Sequence, residues 1–227
     1  MAPQASECLH MTDTTLLPGP VGNIEVLIDA PTGTPLGVAV VAHPHPMQGG
    51  SASHKVPHQM AKALVGCGYV AVRPNFRGVG QSEGAHDGGL GEAEDLLQVI
   101  RHSQQAYAGQ LLLAGFSFGA FVMAHAVAAL THEGVETGGV VLAGTPWGTV
   151  DGQRTYETPP VPAGTLVIHG EQDERVPLAA VFDWARPQGL PVVVVPSANH
   201  FFTGKLGVLG RVVTRYARGK CAASACI

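Results

Sequence analysis

What this sequence has little of narrows its reading before any motif is considered. Charged residues make up only 13% of the 227, and the formal net charge is -4 with no block of Lys or Arg. Nucleic acids and anionic membranes are held by basic patches, so neither is expected as a partner. Cysteine is also scarce. Cys8, Cys67, Cys221 and Cys226 show neither CxxC pairing nor the density of a secreted scaffold, and are expected to be free thiols. No apolar run approaches the roughly 20 residues that span a bilayer, and residues 1–15 lack a basic segment followed by an apolar core. The expected address is therefore cytoplasmic.

What is present is apolar and small. Hydrophobic residues reach 45%, and 30 glycines and 17 prolines are spread among the apolar runs, the composition of a compact, loop-rich globule. The length suits one α/β domain, expected over residues 21–220, with 1–20 an N-terminal extension and 221–227 a C-terminal tail. Met11 opens a natural-looking start, so residues 1–10 read as an upstream extension on which the fold should not depend.

Short apolar runs alternate with helical patterns. Strands are predicted at 23–29, 37–43, 69–76, 110–116, 138–144, 165–170 and 190–197; helices at 56–68, 91–103, 118–130, 177–186 and 203–219. This alternation predicts a mostly parallel twisted sheet with helices on both faces. Residues 145–164, rich in Pro, Gly and Thr, read as an irregular loop forming a minimal cover.

The sharpest chemical signal is GFSFG, Gly115 to Gly119, between a hydrophobic strand and a helix. A serine hydroxyl is a poor nucleophile and must be lifted onto a tight turn where a base can reach it; flanking glycines remove clashes there. Ser117 at a helix N-terminus would also leave the Phe118 N–H free to face a developing oxyanion. Such an elbow calls for an acid and then a histidine on later loops after strands. VIHGEQDERVP supplies Asp173, with Glu171 as a rival whose place directly after the strand shortens its reach. VVVVPSANHFF supplies His200. In a parallel sheet these loops share one edge with the elbow, so the three side chains can converge.

The motifs AHPHPMQGGS (42–51), RPNFRGVGQSEG (73–84), GFSFG, HGEQDERVP (169–177) and ANHFF (198–202) occur in this order along nearly the whole domain. In this the sequence resembles the α/β-hydrolase superfamily, specifically small lidless hydrolases with an HPHP…GG loop, near the dienelactone hydrolases and carboxylesterases. The resemblance implies a Ser-Asp-His triad of Ser117, Asp173 and His200, and an oxyanion hole fed by the HPHP loop. It implies no particular substrate.

The HPHP loop follows strand 37–43, the place from which a second oxyanion donor comes. Pro44 and Pro46 have no N–H, which leaves His45, Met47 or Gln48, with His45 and Met47 favoured. His43 and His45 are expected to hold the loop by hydrogen bonds; no metal site is expected, since no carboxylate or cysteine joins them. Gln48, Phe116, Trp147 and Phe201 are the expected substrate contacts, with Phe118 and Tyr156 as further pocket liners. Arg77 is expected to tie the turn after strand 69–76, and Glu92, Glu94 and Asp95 to favour a helix start; none is assigned catalysis.

The expected function is hydrolysis of a small carboxylic ester or thioester through an acyl-enzyme, with no cofactor. With aromatic residues at only 6% and a small cover, short acyl chains are favoured. The protein is expected as a monomer or homodimer acting on a small molecule. The alternatives are hydrolysis of an amide, lactone or polyester bond, or a non-catalytic binding protein that has kept the fold.

Overall fold

The structure, a computed structural model, describes residues 12–150, 152 and 154–224, with the side chains of 221–224 left out. Eight strands form one sheet: β1 (Thr12–Gly19), β2 (Gly22–Asp29), β3 (Gly37–Ala42), β4 (Tyr69–Pro74), β5 (Gln110–Phe116), β6 (Gly139–Ala143), β9 (Leu166–Gly170) and β10 (Val192–Val195). β7 (Gly148–Val150) and β8 (Arg154–Tyr156) make a separate two-stranded hairpin. The helices are α1 (Lys55–Val65), α2 (Leu90–Ala106), α3 (Phe118–His132), α4 (Leu178–Ala185) and α5 (Leu206–Ser224).

The spatial order is β1-β2-β4-β3-β5-β6-β9-β10, antiparallel at β1-β2 and β2-β4 and parallel from β4 through β10. The central strands are covered on both faces, so their apolar runs do not alternate with polar residues. Their side chains nevertheless part by period two. Val38, Val40, Leu111, Leu113, Val140 and Leu142 enter the core under α2, α3 and α4. Ala39, Val41, Leu112, Ala114, Val141 and Ala143 face the core shared with α1 and α5. At about 1.5–3 kcal/mol for each fully buried Val or Leu, this double core is the main favourable term.

Three boundaries differ from expectation. Residues 12–19 form β1, in full antiparallel register with β2 from Thr12↔Asp29 to Gly19↔Gly22, rather than lying outside the domain. As an edge strand it buries only Leu17, so it carries no apolar periodicity. The last helix runs to Ser224, past the boundary expected for the tail. The cover contains the β7-β8 hairpin where an irregular loop was expected. Val161 N–H donates to Gln188 (2.9 Å) and the Trp184 indole N–H to Thr158 O (2.9 Å), fixing the segment beyond the hairpin. Residues 1–10 and the end of the tail lie outside the described residues, as do the side chains of Cys8, Cys221 and Cys226, while the Cys67 thiol donates to Thr214 O (3.8 Å). Among the described residues, no helix is long and apolar enough to cross a membrane.

Candidate active site

β5 ends at Phe116 and α3 begins at Phe118, so Ser117 is the whole of the turn between them. Its backbone adopts φ 56°, ψ −123°, a conformation that costs a non-glycine residue about 1–3 kcal/mol unless its surroundings enforce it. They do. Ser117 N–H donates to Ala143 O of β6 (2.8 Å), and Ser117 O accepts from Ala120 N–H (2.8 Å) and Phe121 N–H (3.2 Å). The flanking glycines are required by contact: a Cβ on Gly119 would run into the carbonyls of Ala42 and His43, and one on Gly115 into the backbone of Gly119 and Ala120. The strand, the turn and the helix are thus packed backbone to backbone.

The two later loops are joined to each other before either meets the serine. Glu171 N–H donates to Val195 O (3.1 Å) and Gln172 N–H to Ala198 O (2.9 Å). Gly170 lies so close to the carbonyls of Ala198 and Asn199 that no side chain fits there. Glu171 accepts from Ser197 N–H (2.7 Å) at the surface, away from the histidine. Asp173 is buried and accepts from His200 Nδ1 at 2.7 Å through Oδ2, while Oδ1 accepts from the N–H groups of Arg175 (2.9 Å) and Val176 (2.8 Å). Burial opposes the charge on Asp173, but the His200 hydrogen bond and charge and the Val176 N–H outweigh it and hold the carboxyl below the usual range. His200 Nε2 lies 2.9 Å from Ser117 Oγ. His169 escaped the sequence reading; it is fully buried behind Asp173, with Nε2 2.9 Å from Val176 O and 3.4 Å from Asp173 Oδ2. Its place on a buried strand was the available signal.

The HPHP loop is anchored by its first histidine. His43 Nδ1 donates to Pro44 O (2.6 Å) and Nε2 accepts from Phe76 N–H (2.9 Å), so both ring nitrogens are engaged and neither remains for a metal. Burial pushes this imidazole down to about 3, against the opposing effect of the Pro44 carbonyl. Met47, one of the two favoured donors, does not fit that role: its N–H donates to His45 Nδ1 (3.2 Å) and its side chain is 76% exposed. Gln48 N–H donates to His45 O (3.0 Å). The two prolines and the two engaged amides leave the His45 N–H as the remaining candidate donor of the loop. Burial, aided by the charges of His86 and Arg154, lowers the His45 imidazole to about 4 and keeps it neutral.

Two adjoining hollows share Ser117, His200, His45, Gln48 and Arg175. One lies under the hairpin, bounded by Phe118, Pro146, Arg154 and Tyr156; the other is bounded by Pro44, His54 and Phe201. Of the residues expected to touch substrate or line the pocket, Gln48, Phe118, Tyr156 and Phe201 line these hollows. Phe116 and Trp147 do not. Phe116 points into the α1/α5 core and packs beneath His200 (ring centroids 5.1 Å), because its strand parity matches Leu112 and Ala114. Trp147 packs on the opposite core. Arg154 and Arg175 were missed, since nothing in their local sequence marks them as site residues. Arg77, as expected, ties its turn, with both Nε and Nη2 on Asp95 (2.8 and 2.9 Å) and Nη2 on Gly91 O (2.7 Å).

Residues 23–159, more than half of the chain, match the X-Pro dipeptidyl-peptidase (S15) family. The chain belongs to that family. An uncharacterized protein of Rickettsia prowazekii is 30% identical over 207 residues, covering 87% of this chain and 85% of that protein. Among solved structures, a lidless α/β serine hydrolase of Xanthomonas campestris is 36% identical with a TM-score of 0.81, covering 91% of this chain and 94% of its own. An α/β serine hydrolase homologue from Coxiella burnetii is 35% identical with a TM-score of 0.77, covering 89% and 96%. This S15-family member is a serine hydrolase of the α/β fold in its small, lidless form.

Proposed function

We propose that the protein hydrolyses small carboxylic esters or thioesters, with Ser117 as nucleophile, His200 as general base and Asp173 orienting the histidine. The observation that carries this reading is the unbroken chain from Asp173 Oδ2 to His200 Nδ1 (2.7 Å) and from His200 Nε2 to Ser117 Oγ (2.9 Å). Asp173 accepts from Nδ1–H and so leaves Nε2 unprotonated, the tautomer that can take the serine proton. As Oγ bonds to the substrate carbonyl carbon, the proton passes to Nε2 and the carbonyl electrons move to oxygen. The N–H groups of Phe118 and His45 face that oxyanion, aided by the N-terminus of α3. The intermediate collapses, the C–O or C–S bond breaks, and Nε2 returns its proton to the leaving group. Water then repeats the cycle on the acyl-enzyme, releasing the carboxylic acid and restoring Ser117.

The short hairpin cover supports small substrates with short acyl chains. The test is labelling of Ser117 by a fluorophosphonate probe, together with hydrolysis of p-nitrophenyl esters from acetate to palmitate. Activity highest on the short esters and lost in Ser117→Ala is expected; labelling and hydrolysis that persist in Ser117→Ala would reject the assignment. The family's name favours a second reading, cleavage of an amide after proline. Turnover of an Xaa-Pro p-nitroanilide faster than of any ester would establish it.

A further inference from the structure

We infer that His169 is a positioning residue of the triad, a second imidazole behind Asp173 that fixes the carboxylate and, through it, tunes how readily His200 takes the serine proton. This rests on the reading of Ser117, His200 and Asp173 as the reacting groups and adds a fourth side chain to it.

His169 stands on β9, paired with Val194 of β10, one position before the glycine that lets the His200 loop approach. It shares the parity of Val167, so its side chain turns to the core that holds Val176, Val181 and Trp184. No part of it is exposed. Its Nε2 lies 2.9 Å from Val176 O, with Asp173 Oδ2 at 3.4 Å. A carbonyl only accepts, so Nε2 carries the proton. Burial outweighs the nearby Asp173 charge, lowers this imidazole and keeps it neutral. The Nε2–H is therefore a fixed dipole with its positive end beside the carboxylate, not half of an ion pair.

Val176 is held at both ends, because its N–H donates to Asp173 Oδ1 (2.8 Å) and its carbonyl accepts from His169. His169, Val176 and Asp173 thus form a closed ring, which reaches His200 Nδ1 through Oδ2 (2.7 Å). Packing does not account for the imidazole. Its Nδ1 is buried with no hydrogen-bond partner among the described residues, a desolvation cost that an apolar side chain at the same place would avoid. What an apolar side chain cannot supply is an N–H beside the oxygen that His200 uses. Without that N–H the charge on Oδ2 is less shared, so Asp173 holds the charged form of His200 more tightly, while the carboxylate is freer to turn. The titratable groups facing His169 are Asp173 and His200. Those bearing on His200 are also His54, close enough for the two charges to interact, Glu174, which accepts its backbone N–H (3.2 Å), and Arg175, which lines the same hollows.

The test is the rate at which a fluorophosphonate labels Ser117 from about pH 5 to 9, which follows activation of the serine whatever bond is naturally cleaved. His169→Gln keeps an N–H near the Nε2 position. His169→Leu removes it, and His169→Asn, whose amide stops short of it, replaces the Leu variant if that one does not fold. In Leu or Asn the plateau rate is expected to fall about tenfold or more and the acid limb to move up by about half a pH unit, while Gln stays within about threefold of the wild type. For p-nitrophenyl acetate, kcat should fall in parallel with KM changed by less than about twofold, since His169 lines neither hollow. A Gln variant as slow as Leu or Asn, or an acid limb that stays in place or moves down, would overturn the inference and leave His169 a packing residue. The expected labelling pattern with no ester hydrolysed would reject the ester reading and leave this one standing. No labelling of Ser117 in the wild type would remove both.

Discussion

The two sides of the cleft are built differently. On the sheet side, Ser117, Asp173 and His200 stand on loops locked by backbone contacts: Gly119 against β3, Gly170 against the His200 loop, and Ser117 N–H on β6. On the cover side a hairpin with two three-residue strands contributes Val150, Arg154 and Tyr156. The contrast teaches a division of labour. The groups proposed to move protons are held by contacts that tolerate no extra atom, whereas the hairpin that lines the hollow is a short, partly exposed element, where change is cheaper.

The contrast can be broken most sharply at Asp173. Asp173→Asn keeps the shape but allows an amide N–H to face His200 Nδ1, favouring the tautomer that cannot accept the serine proton. Esterase kcat is expected to fall by about 10³–10⁴, with the fold retained by circular dichroism. Gly119→Ala probes the locking itself. Its methyl meets the Ala42 and His43 carbonyls, and urea unfolding is expected to show a loss of about 1–3 kcal/mol accompanied by reduced kcat as the HPHP loop is displaced.

Acid stability gives a smaller and graded effect. The folded His43 is lowered to about 3 from its ordinary 6.5, so between those values the unfolded chain binds a proton that the native state refuses. Stability contributed by keeping His43 neutral is present above about pH 6.5 and is lost as pH falls towards 3, at about 1.4 kcal/mol per pH unit for this one group. Urea midpoints measured from pH 7.5 to 4.5 should decline, and His43→Gln should show a shallower decline. The smallest effect is expected at Met47. Its side chain is exposed and its N–H is engaged within the loop, so Met47→Ala should change kcat/KM by less than about twofold. A larger loss would place this residue against the substrate.

Much of the fold was legible because the central strands are continuous apolar runs closed by glycines and followed by helical spacing. β1 was not. Thr12, Asp13, Thr14 and Thr15 are exposed on an edge strand, so no hydrophobic alternation marks them, and their pairing with β2 is a backbone matter. The β7-β8 hairpin is too short to show a period. In the site, the order of GFSFG, HGEQD and ANH along the chain pointed to Ser117, Asp173 and His200, and the place of Glu171 directly after its strand favoured Asp173 over it. Phe116 shows a different kind of miss: strand parity directs it into the core beneath His200, although its neighbour Ser117 faces the cleft.

Sequence alone determined the alternation of strands and helices, the elbow and its two partner loops, because these depend on local periodicity and on glycines where side chains collide. Tertiary structure decided that the Met47 and Gln48 amides are engaged within the HPHP loop, where Phe116 and Trp147 point, and that Arg154 and Arg175 line the hollow at Ser117. These depend on the closing of loops distant in the chain, and the hydrogen bonds and charges that decide them form only when the loops are brought together.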